Sequence, residues 1–170
     1  FVLSLDYFLR RKLITAIAES SVHFDGVQID FESVHPDDRD SFFMFLTELK
    51  SAIGSRMLSV AVPARTVYIR DAYDYAVLGK IVDRIFVMAY DEHWSGSEPG
   101  PIAGYEWCGK VARYAHSVIP DERLVMGMPF YGRSWQDKKN SRAYRYKAVE
   151  ELMKKTAEAK TVDSGYPSFE

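Results

Sequence analysis

The stretch Phe24-Asp25-Gly26-Val27-Gln28-Ile29-Asp30-Phe31-Glu32-Ser33 alternates apolar and polar side chains, and most of the polar ones are acids. A period of two predicts a strand with Gln28, Asp30 and Glu32 on one face and Val27, Ile29 and Phe31 on the other. In a free-standing antiparallel sheet the acids would simply face water. Helical patterns flank the stretch on both sides, however, and strands alternating with helices predict a parallel sheet covered by helices. In a closed parallel barrel both faces of such a strand are buried. The apolar face meets the helices, and the polar face lines an interior that opens at the C-terminal end, where barrels of this kind carry out chemistry. Glu32 is then the last inward-pointing residue, at the mouth. Asp30 lies one pleat below it, about 7 Å along the strand, and Gln28 one pleat deeper. Two carboxyls close together in a poorly hydrated pocket resist ionising together, which raises the pKa of one of them. Glu32 is therefore a candidate general acid. A purely structural role for the trio is the competing reading, and the cost of burying unpaired carboxylates weighs against it.

Working outward, residues 6–20 carry Leu9, Leu13, Ile14 and Ile17 at the spacing of a one-sided helix, with Arg10, Arg11, Lys12 and Glu19 expected to face out and Asp6 able to cap. After Glu32, a loop over 33–38 leads through Pro36 into a second helix that buries Phe42, Phe45, Leu46, Leu49 and Ile53 and ends at Gly54. Residues 58–63 predict a strand covered on both faces. Residues 64–80 hold Tyr68, Tyr73 and Tyr75 and a short, weakly patterned helix ending near Gly79. A third strand over 84–91 is apolar until Tyr90 and Asp91 close it, and the loop 92–101 combines turn formers with the indole of Trp94, as a sugar-contacting loop does. A helix over 105–118 presents Trp107, Val111, Tyr114 and Val118 on one face. The fourth strand is expected over 124–131, closed by Gly132-Arg133-Ser134-Trp135. Residues 136–145 then read as polar and basic without a strand, 146–159 as a helix around Val149, Leu152 and Met153, and 161–170 as strand or loop.

These are four strands of the βα kind, whereas a closed barrel needs eight and typically takes about 250 residues. The fold class is thus α/β, a partial (β/α)8 barrel over residues 1–135, with a small α+β insertion beginning in 136–170. The opening at Phe1 without methionine is that of a segment cut from a longer protein.

Composition narrows the function classes. The chain has 170 residues, 47% hydrophobic and 14% aromatic, which suits a globular core. A net charge of -2 and the lack of a long basic run exclude an electrostatic case for nucleic acid or an anionic membrane. No apolar run approaches the roughly 20 residues that span a bilayer. The only cysteine, Cys108, forms no intrachain disulfide or cysteine-based zinc site and reads as a buried, inert thiol. A divalent-cation site built from Asp25, Asp30 and Glu32 lacks histidine at ligand spacing, so no metal or other cofactor is expected. His93 either touches substrate or is solvated, and Trp94 either stacks on a sugar ring or packs on its own loop. Met126 and Met128 read as core or barrel lining, and Lys138, Lys139, Arg142, Arg145 and Lys147 as a solvated basic surface.

Three motifs, each at the end of a predicted strand, resemble family 18 of the glycoside hydrolases, the chitinases and related cell-wall glycosidases. Asp25-Gly26-Val27-Gln28-Ile29-Asp30-Phe31-Glu32 is similar to that family's Asp-Gly-x-Asp-x-Asp-x-Glu signature, departing only at Gln28. Met88-Ala89-Tyr90-Asp91 resembles its Met-x-Tyr-Asp, and Pro129-Phe130-Tyr131-Gly132-Arg133 its Pro-Phe-Tyr-Gly-Arg. On this resemblance the chain covers the helix before barrel strand four through strand seven, and the family's strand-eight tryptophan has no counterpart among the three tryptophans here. The resemblance implies a retaining, substrate-assisted hydrolysis of N-acetylated β-glycans, in which the substrate's acetamido oxygen attacks the anomeric carbon. Glu32 would act as acid and then base, Asp30 would steady the acetamido group, and Tyr90 would hydrogen-bond its oxygen. Gln28, Met88, Asp91, Trp94, Tyr131 and Arg133 would line the sugar site. An amide at Gln28 and Phe31 in place of tryptophan are similar to the bacterial spore-cortex and cell-envelope branch, which implies peptidoglycan before chitin, an extracellular or envelope location and slow turnover. A non-catalytic carbohydrate-binding module of the same fold stands as the alternative.

Overall fold

The computed structural model describes residues 7–137, 140–155, 160–161 and 167–168. The expected cap at Asp6, Lys138-Lys139, the helix end over 156–159 and most of the tail lie outside the described residues. The chain forms two compact units, one over Phe1–Met88 and Arg113–Met126, the other over Ala89–Ala112 and Gly127–Glu170.

The first unit is built on a parallel sheet. Its strands are β1 (Gly26–Ile29), β2 (Met57–Pro63), β3 (Arg84–Met88) and β4 (Leu124–Met126), and they lie in sequence order. The register runs Ile29 beside Val60, Val62 beside Val87 and Val87 beside Met126. Parallel neighbours in sequence order require a crossover after each strand. The helices are α1 (Tyr7–Ser20), α2 (Arg39–Ile53) and α3 (Tyr75–Ile81), followed in the chain by α4 (Tyr105–Val118). A single 3-10 turn at Pro36–Asp38 leads into α2, with His35 Nδ1 accepting the Asp37 N–H, and Gly54 stops that helix at φ 65°. The core is the expected one: Phe42, Phe45, Leu46, Leu49 and Ile53 of α2 are buried with Leu58, Val60, Val62, Ile85 and Val87 of the sheet. Gly79 lies inside α3 rather than at its end, buried against Ile85 and Pro120. Arg123 then ties the β4 entrance to the end of α3 by donating to the carbonyls of Gly79 and Val82.

Three expectations change. Arg10 was expected outside, yet it is 5% exposed and donates twice to the Glu48 carboxylate, Nε to Oε2 at 3.0 Å and Nη2 to Oε1 at 3.1 Å. The positions 10, 14, 17 and 21 form one helical stripe, and Arg10 lies on it with Ile14 and Ser21, all buried, while Phe8 and Leu9 are exposed. A guanidinium can stand in that stripe because a carboxylate on α2 accepts from two of its nitrogens in a fork. The second change concerns β1, whose polar face is not buried: Gln28, Asp30 and Glu32 are exposed, because four strands leave the sheet open. The third is at the C-terminal end. The fourth parallel strand stops at Met126, and two antiparallel strands pair instead, β5 (Tyr131–Asp137) with β6 (Asn140–Arg145).

That hairpin belongs to the second unit, with α5 (Tyr146–Lys155) and the short pair β7 (Lys160–Thr161) and β8 (Pro167–Ser168). Gly132 lets β5 approach α5, since a Cβ there would sit 2.8 Å from Val149 Cγ2. A strand was missed over 140–145 because its residues, Asn-Ser-Arg-Ala-Tyr-Arg, carry little of the β-branched signal, and hairpin pairing supplies what propensity does not.

Two stability outcomes follow. Glu48→Ala removes the carboxylate that accepts from Arg10 Nε and Nη2, and urea unfolding should show a loss of about 2–3 kcal/mol. Tyr75, 2% exposed, donates its hydroxyl to the Pro63 carbonyl at 2.5 Å, and burial pushes its pKa up. The fold therefore holds the neutral phenol. Its contribution is complete below the unfolded pKa of about 10 and lost as pH rises above it. Tyr75→Phe should cost about 1 kcal/mol at neutral pH and flatten the alkaline loss of stability.

Candidate active site

In the first unit, the last rung of β1 pairs Ile29 with Val60, so Asp30, Phe31 and Glu32 run past the end of the ladder. Phe31 turns to α2 and stacks on Phe45 (5.4 Å between centroids) and Phe42 (6.2 Å). Asp30 and Glu32 are both exposed on the opposite face, as alternation requires. Below them Gln28 accepts a hydrogen bond from Ser59 Oγ at 3.2 Å, a bond between adjacent strands on the same face. Immediately after Glu32 the backbone enters the left-handed region at Ser33, φ 57°, a conformation that non-glycine residues rarely adopt and that recurs at functional turns. The peptide groups on either side of this turn are held by one side chain: Tyr73 donates its hydroxyl to the Phe31 carbonyl at 2.7 Å and accepts the Val34 N–H at 3.0 Å. Met88, the last residue of β3, is half-buried beside Pro63.

In the second unit, Tyr90, Asp91 and Tyr131 come together. Tyr131 donates its hydroxyl to Asp91 Oδ1 at 2.7 Å, and the Tyr90 ring meets the Tyr131 ring edge-on at 6.2 Å. Burial first, then the hydrogen bond to Asp91 and its charge, hold the Tyr131 phenol well above its usual range. Asp91 is itself left-handed, φ 57°, so this second strand-end turn is strained in the same sense as the first. Arg133 donates to Ser141 Oγ across the hairpin at 3.1 Å, while its Nε is buried and makes no hydrogen bond among the described residues. Trp94 is 55% exposed, with its amide bonded to Ser97 Oγ, its carbonyl accepting Trp135 Nε1 at 3.4 Å, and Gly96 against the ring. It is thus fixed to its loop while much of the indole stays open to solvent.

The neck of that loop is closed by residues the sequence reading did not single out or left open. Glu92 N–H donates to the Ile102 carbonyl at 2.9 Å, and the Glu92 carboxylate accepts the Gly104 N–H at 2.7 Å, next to the N-terminus of α4 where a negative charge is favoured. His93 Nδ1 meets the Pro101 carbonyl at 2.9 Å, which accounts for the ring structurally. An acid bonding twelve positions ahead leaves no periodic trace, so Glu92 had no legible signal. Cys108 is half-buried, its thiol donating to the Ala89 carbonyl and its pKa raised by burial. Among the described residues no group of three or more His, Cys, Asp or Glu could hold a metal ion, and no helix is long and apolar enough to cross a membrane. Glu92→Ala should speed hydrogen exchange of the Gly104 amide by about tenfold or more, while Glu92→Gln, which keeps an acceptor, should stay near wild type.

A profile of the glycosyl hydrolases family 18 matches residues 6–167. The chain is 32% identical over 153 residues to the uncharacterized glycosylase YvbX of Bacillus subtilis (strain 168), covering 85% of this chain and 44% of that protein. It is 30% identical over 143 residues to the cortical fragment-lytic enzyme of Bacillus anthracis, covering 79% and 33%. The solved structure of the Bacillus cereus spore cortex-lytic enzyme SleL superposes with a TM-score of 0.85 at 28% identity, covering 99% of this chain and 41% of that one. A chitinase from Chromobacterium violaceum gives 0.84 at 26% identity, covering 96% and 54%. The chain therefore spans less than half the length of these curated relatives. The parallel sheet in sequence order is part of a (β/α)8 barrel like theirs. With its profile match running almost from end to end, the chain belongs to family 18 of the glycosyl hydrolases.

Proposed function

We propose that the protein of which this chain forms part is a retaining glycosidase that hydrolyses β-linked N-acetylglucosamine-containing glycans, peptidoglycan in preference to chitin. The observation that carries this reading is the Asp30-x-Glu32 pair, exposed on one face past the end of β1 while Phe31 anchors the other. Membership of the family and relatives named cortical fragment-lytic enzyme and chitinase support it. Glu32 protonates the leaving glycosidic oxygen and then takes a proton from the incoming water. Asp30 hydrogen-bonds the acetamido N–H and steadies the charge of the cyclic intermediate, and Tyr90 donates to the acetamido oxygen. Because the attacking atom belongs to the substrate, two inversions occur at the anomeric carbon and its configuration is retained. Met88, Asp91, Trp94, Tyr131 and Arg133 shape the sugar site. Gln28 cannot ionise and already bonds Ser59, so it exchanges no proton with Asp30. This fits slow turnover, and it is also the observation that favours the second reading, a carbohydrate-binding module that cuts nothing. A substrate of this kind is met at the cell envelope or outside the cell, where the protein would act.

Release of reducing ends from purified peptidoglycan and from chitin oligomers by the full-length protein tests the proposal. Glu32→Gln should lower the rate by about a thousandfold or more, with glycan binding kept. If neither polymer is cut and both proteins bind glycan equally, the enzyme reading fails and the binding-module reading replaces it.

A further inference from the structure

We propose that Tyr73 is a positioning residue for Glu32, holding the turn that presents the acid. The inference rests on the reading of Glu32 given above and adds a residue that no motif of the sequence contains. Past Ile29 the β1 ladder has ended, so the peptide groups of residues 30–34 lose their strand partners and must find others. Two of them find the same phenol. Tyr73 Oη donates to the Phe31 carbonyl at 2.7 Å and accepts from the Val34 N–H at 3.0 Å. Those two bonds bracket Glu32 and Ser33, and Ser33 is the residue in the left-handed region. A turn that a serine does not favour by itself is thus closed from outside, at both ends, by one hydroxyl.

The hydroxyl is itself well fixed. Tyr73 is 7% exposed, and its ring meets Phe42 edge-on at 6.0 Å, in the same cluster where Phe31 stacks on Phe42 and Phe45. Its own N–H donates to Asp71 Oδ1 at 2.8 Å, and Asp71 is paired with Arg65. Burial first raises its pKa, with the charges of Asp71 and Glu32 acting the same way, so the phenol stays neutral and keeps both the proton it donates and the lone pair it offers. Backbone on both sides of Glu32 is therefore referred to a rigid aromatic cluster. An acid on a loop gains from such support because small displacements of a catalytic group are costly in rate.

The test uses the full-length protein and compares Tyr73→Phe with Tyr75→Phe. Each loses one hydroxyl from a buried ring that donates to a backbone carbonyl in the same unit, but Tyr75 bonds Pro63 and leaves 31–34 untouched. Steady-state rates on a soluble N-acetylated oligosaccharide are measured beside the melting temperature. Tyr73→Phe should lower kcat by about tenfold or more with KM within about twofold, whereas Tyr75→Phe should keep kcat within about twofold for a similar loss in Tm. Exchange of the Val34 amide should rise by about tenfold in Tyr73→Phe alone, a readout that needs no turnover. Unchanged kcat in Tyr73→Phe, unchanged Val34 protection, or an equal loss of kcat in Tyr75→Phe would overturn the proposal. Glu32→Gln run in parallel separates the failures. If it is inactive while Tyr73→Phe turns over normally, only the positioning role falls; if it turns over normally, Glu32 is not the acid and both readings fall.

Discussion

Everything at the acid end of the sheet depends on the half-buried Phe31 packing against α2. Its ring stacks on Phe45 and Phe42, and this contact holds the chain after the β1 ladder has run out. Because adjacent side chains of an extended segment point to opposite faces, anchoring Phe31 on the helix side turns Asp30 and Glu32 to the other. The acids need no contacts of their own to be aimed. A hydrophobic contact worth a few kcal/mol thus fixes the direction of two charged groups that could not be packed into a core themselves.

The same division of labour runs through the rest of the chain. Parallel strands in sequence order commit the helices to one face, and the buried stripe of α2 fills the space between. The other face is free to be polar, and the Gln28–Ser59 bond shows adjacent strands using it. The candidate site residues then lie where the ladders stop. Ser33 and Asp91, the two non-glycine residues with positive φ among those described, lie at the ends of two strand motifs, and each turn has a tyrosine hydroxyl bonded to it, Tyr73 at 31–34 and Tyr131 at Asp91.

Where sequence reading failed, it failed on partners. Arg10 was assigned to water because a guanidinium in a helix usually is, and only the Glu48 carboxylate, 38 positions away, makes its burial affordable. The start of hairpin β5–β6 was read as the end of a parallel strand followed by loop, because Tyr131 continues the largely apolar run from Leu124. Local periodicity cannot tell which neighbour a strand will take. Glu92 and Tyr73 were invisible for the same reason, since each acts on backbone groups far along the chain.

Sequence alone determined the alternation of strand and helix, the buried face of α2, the glycine stop at Gly54 and the identity of the acid motif, because each is written in spacing or in a residue type that only one geometry suits. It placed Asp30 and Glu32 on one face for the same reason. Tertiary structure alone decided that Arg10 goes in, that β5 pairs with β6, and that the turn after Glu32 is closed by Tyr73. Those outcomes depend on which donors and acceptors meet through space, and a hydrogen bond between residues 39 positions apart leaves no periodicity to read.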